Sequence, residues 1–316
     1  MVNYINLEPA QRKLGKVLGF LPPMEKLPPK MVRMVFRAFD ASFGLAKTDM
    51  QQVNDREIQI DDQATRIKIR SYFPNAETNG TLVYFHGGGC VIGSIETHDN
   101  FCRLLAHHGK KNVISVAYRL APEHKFPAPV LDALNSWNWI IANYQSLNID
   151  INNIGVAGDS AGAYLAAMIS LEKEHEVFHV SASKKPNFQF LIYPMADVRG
   201  TNESYLQYTK NLLLTQDLMN YFGEHFIDDR ELVNNSYLSI VLSEDLANCP
   251  KTYLATAQFD PLYDGGKELA ETLQQSGVEV EYKNFADSMH GFISVAKISK
   301  SARVACFDMA KRLSTY

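Results

Sequence analysis

The chain has 316 residues, 46% of them hydrophobic and 21% charged, with a formal net charge of -4 and a pI near 6.1. That composition excludes a disordered chain and leaves ample length for a large core. There is no basic cluster of the kind a nucleic-acid footprint needs, and no run of about 20 apolar residues that would cross a membrane.

Residues 1–50 read as helical, with apolar side chains on several faces of the stretch "MVRMVFRAFDASFGL". The one apolar run near the start, Val17 to Leu21, is too short for a secretory signal core and runs into Pro22-Pro23. The cysteines Cys90, Cys102, Cys249 and Cys306 form no C-x-x-C pair, which suits thiols in a reducing compartment. The expectation is a cytoplasmic protein without a stable membrane anchor. Next, the runs Ile58–Ile60 and Arg66–Phe73 have no helix between them and read as an antiparallel hairpin.

From Leu82 onward the pattern changes. Strand candidates at Leu82–Phe85, Val113–Tyr118, Ile154–Ala157, Phe188–Tyr193, Thr252–Ala257 and Glu279–Lys283 alternate with helical spacing. The helical segments are His98–His108, Ala128–Tyr144, Ala161–Lys173, Gly265–Gln275 and Val295–Leu313. This alternation predicts an α/β fold with a mainly parallel sheet flanked by helices. Residues 200–245, rich in Tyr, Leu and Asn, interrupt it with two helical stretches. With residues 1–50 they read as a helical cap over a site, on a single domain spanning 1–316. Purely peripheral packing of both segments is the alternative.

Four stretches carry chemistry. "VYFHGGGCVIGS" puts His86, Gly87, Gly88 and Gly89 directly after a strand candidate, where consecutive glycines expose backbone N–H groups. In acyl transfer such groups face a developing oxyanion. A phosphate cradle would need a G-K-[ST] or G-x-G-x-x-G pattern, and neither is here. "GVAGDSAGAYLAA" sets Gly158, Asp159, Ser160, Ala161 and Gly162 between a strand and a helix, the place of a nucleophile elbow. The bland reading is a βα turn capped by Ser or Asp. "TYLATAQFDPLYDGG" places Asp260 after a strand, before Pro261, with Asp264 as its competitor. "EYKNFADSMHGF" places His290 in the loop before the last helix. The order Ser160, Asp260, His290 is that of a nucleophile, a carboxylate that orients the base, and the base itself in an α/β-hydrolase. No H-E-x-x-H or clustered Cys/His spacing points to a metal.

Taken together, "HGGG" at 86–89, "YRLAPEHKFPAP" at 118–129, "GDSAG" at 158–162, "DPLYD" at 260–264 and "HGF" at 290–292 resemble the hormone-sensitive lipase family of α/β-hydrolases, over roughly residues 55–316. Within it the chain looks most like the bacterial acetyl esterases. The resemblance implies a Ser160–His290–Asp260 triad and an oxyanion hole from the N–H groups of Gly88, Gly89 and Ala161. It also implies hydrolysis of short-chain, acetyl to butyryl, esters of small molecules with no cofactor. Ala163 and Gly265 depart from residues many members carry. Arg119 and Glu123 are expected to hold the loop beneath the site. An amidase or deacetylase on the same scaffold, or a non-catalytic binding relative, are the rival readings.

Overall fold

The computed structural model describes residues 4–172 and 175–316. Helices α1 (Pro9–Leu18) and α2 (Pro29–Phe43) come first, and each starts on a proline, whose missing N–H costs nothing in a first helical turn. The expected hairpin follows, but β1 (Gln52–Gln59) is longer than its apolar residues suggested. β1 is an edge strand of polar, exposed residues, so it offered little apolar alternation to read. It pairs antiparallel with β2 (Arg66–Phe73).

The chain then runs through β3 (Thr81–Phe85), α3 (Ile95–Gly109), β4 (Asn112–Ala117), α4 (Ala128–Ala142), α5 (Tyr144–Leu147), β5 (Ile154–Asp159), α6 (Ala161–Ser170) and α7 (His175–Phe178). β6 (Phe188–Ile192), α8 (Glu203–Gln207), α9 (Gln216–Phe226), β7 (Lys251–Phe259), α10 (Tyr263–Gln275), β8 (Val280–Met289) and α11 (Lys300–Leu313) complete it. The sheet order is β1-β2-β4-β3-β5-β6-β7-β8. β2 joins β4 antiparallel, and β3 to β8 all run parallel. This is the α/β-hydrolase arrangement the motifs implied.

Strand alternation builds a core on each face. Val83, Phe85, Ile114, Val116 and Val156 pack with α4 and α6, whereas Leu82, Tyr84, Val113, Phe190 and Tyr253 pack with α3 and α11. α6 is buried over its whole length, and Gly162, Ala163, Ala166 and Ala167 let it lie close to the sheet. It ends at Ser170; the expected limit at Lys173 lies outside the described residues.

The last helix starts later than expected. Residues Phe292–Val295 form a single 3₁₀ turn, and the Lys297 N–H is diverted to the carbonyl of Phe43 at the end of α2. Ser299 then caps α11 by accepting from the Ala302 N–H. β7 and β8 extend past the predicted ends to Phe259 and Met289. Because these strands run parallel, the residues that follow β5, β7 and β8 come out at the same, C-terminal, end of the sheet.

Candidate active site

Ser160 links β5 to α6 with φ +55° and ψ -122°, a backbone state that L residues reach only under strain of roughly 1–3 kcal/mol. Two glycines make it sterically feasible. A Cβ on Gly158 would lie 2.2 Å from the Gly162 carbonyl carbon, and one on Gly162 would lie 2.0 Å from the Phe85 oxygen. The strained turn is pinned on both sides: the Ser160 N–H donates to Ile192 O at 2.9 Å, and Met195 N–H donates to Ser160 O at 3.1 Å. Ser160 stands at the N-cap position, yet its side chain makes no capping bond. Its Oγ faces His290 instead.

His290 follows β8 directly. Its Nε2 is 3.0 Å from Ser160 Oγ, and its Nδ1 is 2.6 Å from Asp260 Oδ2. With Nδ1–H donating to the carboxylate, Nε2 is left to accept the serine proton. Asp260, at the end of β7, is fully buried, and its Oδ1 accepts from the Leu262 N–H at 2.7 Å. Its competitor Asp264 is spoken for elsewhere: its Oδ2 accepts from the Ser204 N–H at 2.6 Å, at the start of α8. Behind the imidazole the Tyr193 ring packs at 4.6 Å, a neighbour the sequence did not suggest.

The glycine loop is tied to the same strand end through Asp159. Its Oδ1 accepts from the Gly87 N–H at 2.8 Å and from Tyr84 OH at 2.6 Å, and His98 Nε2 lies 3.3 Å away. His86 is stacked on Tyr118 at 4.4 Å, and Tyr118 OH donates to His86 O at 2.7 Å. Burial and the nearby His98 push the His86 pKa down to about 4, so the ring is neutral at physiological pH. No protein acceptor is assigned to the N–H groups of Gly88, Gly89 or Ala161 among the described residues. These are the groups an oxyanion would need free.

The Asp159–His98 pair is buried. Burial alone would raise the Asp159 pKa, but His98, Tyr84 and the Gly87 N–H outweigh it and hold the carboxyl below its usual range. Burial alone would keep His98 neutral, and Asp159 and Asp40 raise it instead. In the sequence Asp159 shows only as part of its motif, and His98 sits in a helix pattern that carries no mark of its partner.

Asp40, on α2, lies within electrostatic reach of this pair. Burial pushes its pKa up to about 6, with His98 opposing and Asp159 and Asp99 adding. A carboxyl raised in the fold above its unfolded value of about 4 stabilises only when protonated. That contribution is complete below about pH 4 and lost as pH rises through about 6. Asp40→Asn is therefore expected to raise Tm near pH 8 and to do so far less near pH 4, read by thermal melts at both. An equal gain at both would mean Asp40 ionisation does not load the fold.

Arg119 and Glu123 do not pair with each other. Arg119 grips the buried Asp132 of α4 at 2.7 Å, and Glu123 takes Arg33 of α2 at 2.6 Å. The loop is thus held to both the body and the N-terminal helices. Above Ser160 opens a cavity of about 990 Å³, lined from both helical segments by side chains such as Leu14, Leu18, Phe39, Leu214, Leu218 and Phe222. Among the described residues, no three His, Cys, Asp or Glu side chains gather to hold a metal.

A family model described as the alpha/beta hydrolase fold matches residues 82–294. An ethyl acetate hydrolase of Pseudomonas putida is 30% identical over 305 residues, 95% of this chain and 92% of that protein. An arylesterase of Saccharolobus solfataricus is 34% identical over 260 residues, 82% of each chain. Among solved structures, a mutant of an alpha/beta hydrolase enzyme from the Lake Arreo metagenome superposes with a TM-score of 0.90 at 32% identity, covering 98% of both chains. An esterase of Pyrobaculum calidifontis gives 0.85 at 33%, also over 98% of both.

Proposed function

The chain belongs to the hormone-sensitive-lipase-like esterases of the α/β-hydrolase family and is a carboxylic-ester hydrolase, and from that premise we propose that Ser160, His290 and Asp260 carry the reaction on short-chain acyl esters. The observation that supports the assignment is the hydrogen-bonded chain Asp260–His290–Ser160 at the foot of an apolar cavity.

In this reading Ser160 Oγ attacks the ester carbonyl while its proton passes to His290 Nε2. Asp260 holds the tautomer and stabilises the imidazolium. The N–H groups of Gly88, Gly89 and Ala161 receive the carbonyl oxygen as it becomes negative. His290 returns the proton to the departing alcohol, leaving an acyl-Ser160 ester. Water then gives a proton to His290 and attacks that ester; the carboxylic acid leaves and the serine proton is restored.

The proton path orients the substrate. The alcohol oxygen must lie on the His290 side, where Leu213 sits over Gly291. The acyl group then lies toward Gly89, where Phe222 closes the wall. A cavity of about 990 Å³ exceeds the needs of an acetyl or butyryl group, so its surplus is assigned to the alcohol. Relatives named for ethyl acetate and aryl ester hydrolysis support a small acyl group with a tolerant leaving-group side. The whole chain is read as one domain whose cap comes from about residues 1–50 and 200–245. A cytoplasmic site of action is proposed on the buried thiols of Cys90, Cys102 and Cys306.

A chain-length series of p-nitrophenyl esters tests the substrate class. The acetate and butyrate are expected to exceed the decanoate roughly tenfold or more in kcat/KM. A maximum at long chains would overturn the short-acyl assignment. Faster cleavage of matched anilides than of esters would move the enzyme to the amidases.

A further inference from the structure

The N-terminal helices carry more apolar surface than the fold uses. α2 turns Val32, Phe36, Phe39 and Phe43 inward onto the core and cavity. It also turns Met31, Met34 and Val35 outward at i, i+3 and i+4, with Met34 70% exposed. The α1–α2 connection adds Leu21 and Phe20, and Phe20 is 91% exposed. Val17, Leu21 and Val35 both face solvent and line the cavity, so this patch lies at the cavity mouth. A helix apolar on two sides has one face left for something outside the chain.

Charge says what kind of surface that is. Residues 1–50 hold eight Lys and Arg against four Asp and Glu, a balance of +4 in a chain whose total is -4. Lys13, Lys16, Lys26, Lys30 and Arg37 are exposed. Among the described residues, none of these five enters an ion pair; Arg33, which does, pairs with Glu123. A second copy placed face to face on this patch would set these lysines against the same lysines of its partner. An anionic lipid surface satisfies both features: it takes irregular Phe, Met and Leu side chains into its interfacial layer and attracts the lysines around them.

We propose that the exposed face of the N-terminal helical pair, centred on Phe20, Met31 and Met34 with Lys13, Lys16, Lys26 and Lys30, docks reversibly on an anionic phospholipid surface with the cavity mouth toward the lipid. No helix among the described residues is long and apolar enough to cross a membrane, so the contact is interfacial. Esters dissolved in the lipid would then reach the cavity without crossing bulk water. The docking face does not depend on which residues perform the hydrolysis.

Flotation with extruded vesicles tests it, using phosphatidylcholine alone or with about 30 mol % phosphatidylglycerol, at ~0.05 M and ~0.5 M salt. The full chain is expected to float with the anionic vesicles at low salt, and several-fold less at high salt or with neutral vesicles. Phe20→Ser/Met31→Ser/Met34→Ser, at positions outside the cavity wall, is expected to lose roughly tenfold or more in lipid partition with kcat/KM for p-nitrophenyl acetate unchanged. Lys13→Glu/Lys16→Glu should weaken binding to anionic vesicles alone. Absence of flotation, or binding that neither variant alters, overturns the proposal. A wild-type dimer in sizing chromatography that the triple variant converts to monomer would give the patch to a second copy and overturn it equally.

Discussion

Ser160→Ala is expected to lower kcat/KM for p-nitrophenyl acetate about 10⁵-fold while the chain folds as before. Among the described residues the removed oxygen is the partner of His290 Nε2, at 3.0 Å, and the Asp260–His290 hydrogen bond is left in place. The residual rate should match that of an oxyanion hole acting alone. A companion variant separates chemistry from strain. Ser160→Gly is equally inactive but relieves the φ of +55°, so it should melt above Ser160→Ala. Retention of more than a few per cent of activity by Ser160→Ala would refute the nucleophile assignment.

Gly89→Ala is the second large effect, with kcat for p-nitrophenyl butyrate expected to fall about 10²- to 10³-fold at little change in KM. Gly89 has φ +60°, and a Cβ there would lie 2.4 Å from Phe222 Cγ and 2.8 Å from Phe222 Cβ. Because the clash reaches the root of the Phe222 side chain, rotating the ring cannot relieve it. The loop must move, and its N–H groups with it. Gly89→Ala/Phe222→Ala removes the clash but keeps the unfavourable φ, so it should recover part of kcat. Full activity in Gly89→Ala would show that this loop does not hold the oxyanion.

How much of this was legible depended on whether a residue's role is local. Ser160, Asp260 and His290 each sit at a strand end with their own short motif, so chain order and turn chemistry were enough to nominate the three side chains that the fold brings into one hydrogen-bonded chain. The sheet reads for the same reason, through apolar runs that recur between helices. The partners that tune the site are different. Asp159 meets the Gly87 N–H across 72 positions of sequence and Tyr84 OH across 75, and Arg33 meets Glu123 across 90. No periodicity records such contacts, since they exist only once the layers have packed. Phe222 over Gly89 is the same case, for a cap helix looks like any amphipathic helix until its target is known. The end of β8 escapes sequence reading for another reason: residues 284–289 mix three polar with three apolar side chains in no alternating pattern, and they extend as strand where β7 offers a partner.

The three hydrogen-bonded side chains and the wall of the cavity above them come from different kinds of structure. Ser160, Asp260 and His290 end parallel strands whose neighbours are fixed by the backbone ladder. Most of the cavity wall comes from the stretches before the first strand and between β6 and β7, and neither contributes a strand to the sheet. Substitutions of the cavity-facing side chains in those stretches, such as Leu18, Leu214 and Leu218, leave the backbone ladder in place. A lineage built on this plan is therefore free to drift in the ester it accepts over short evolutionary times, while the hydrolytic step it inherits stays the same.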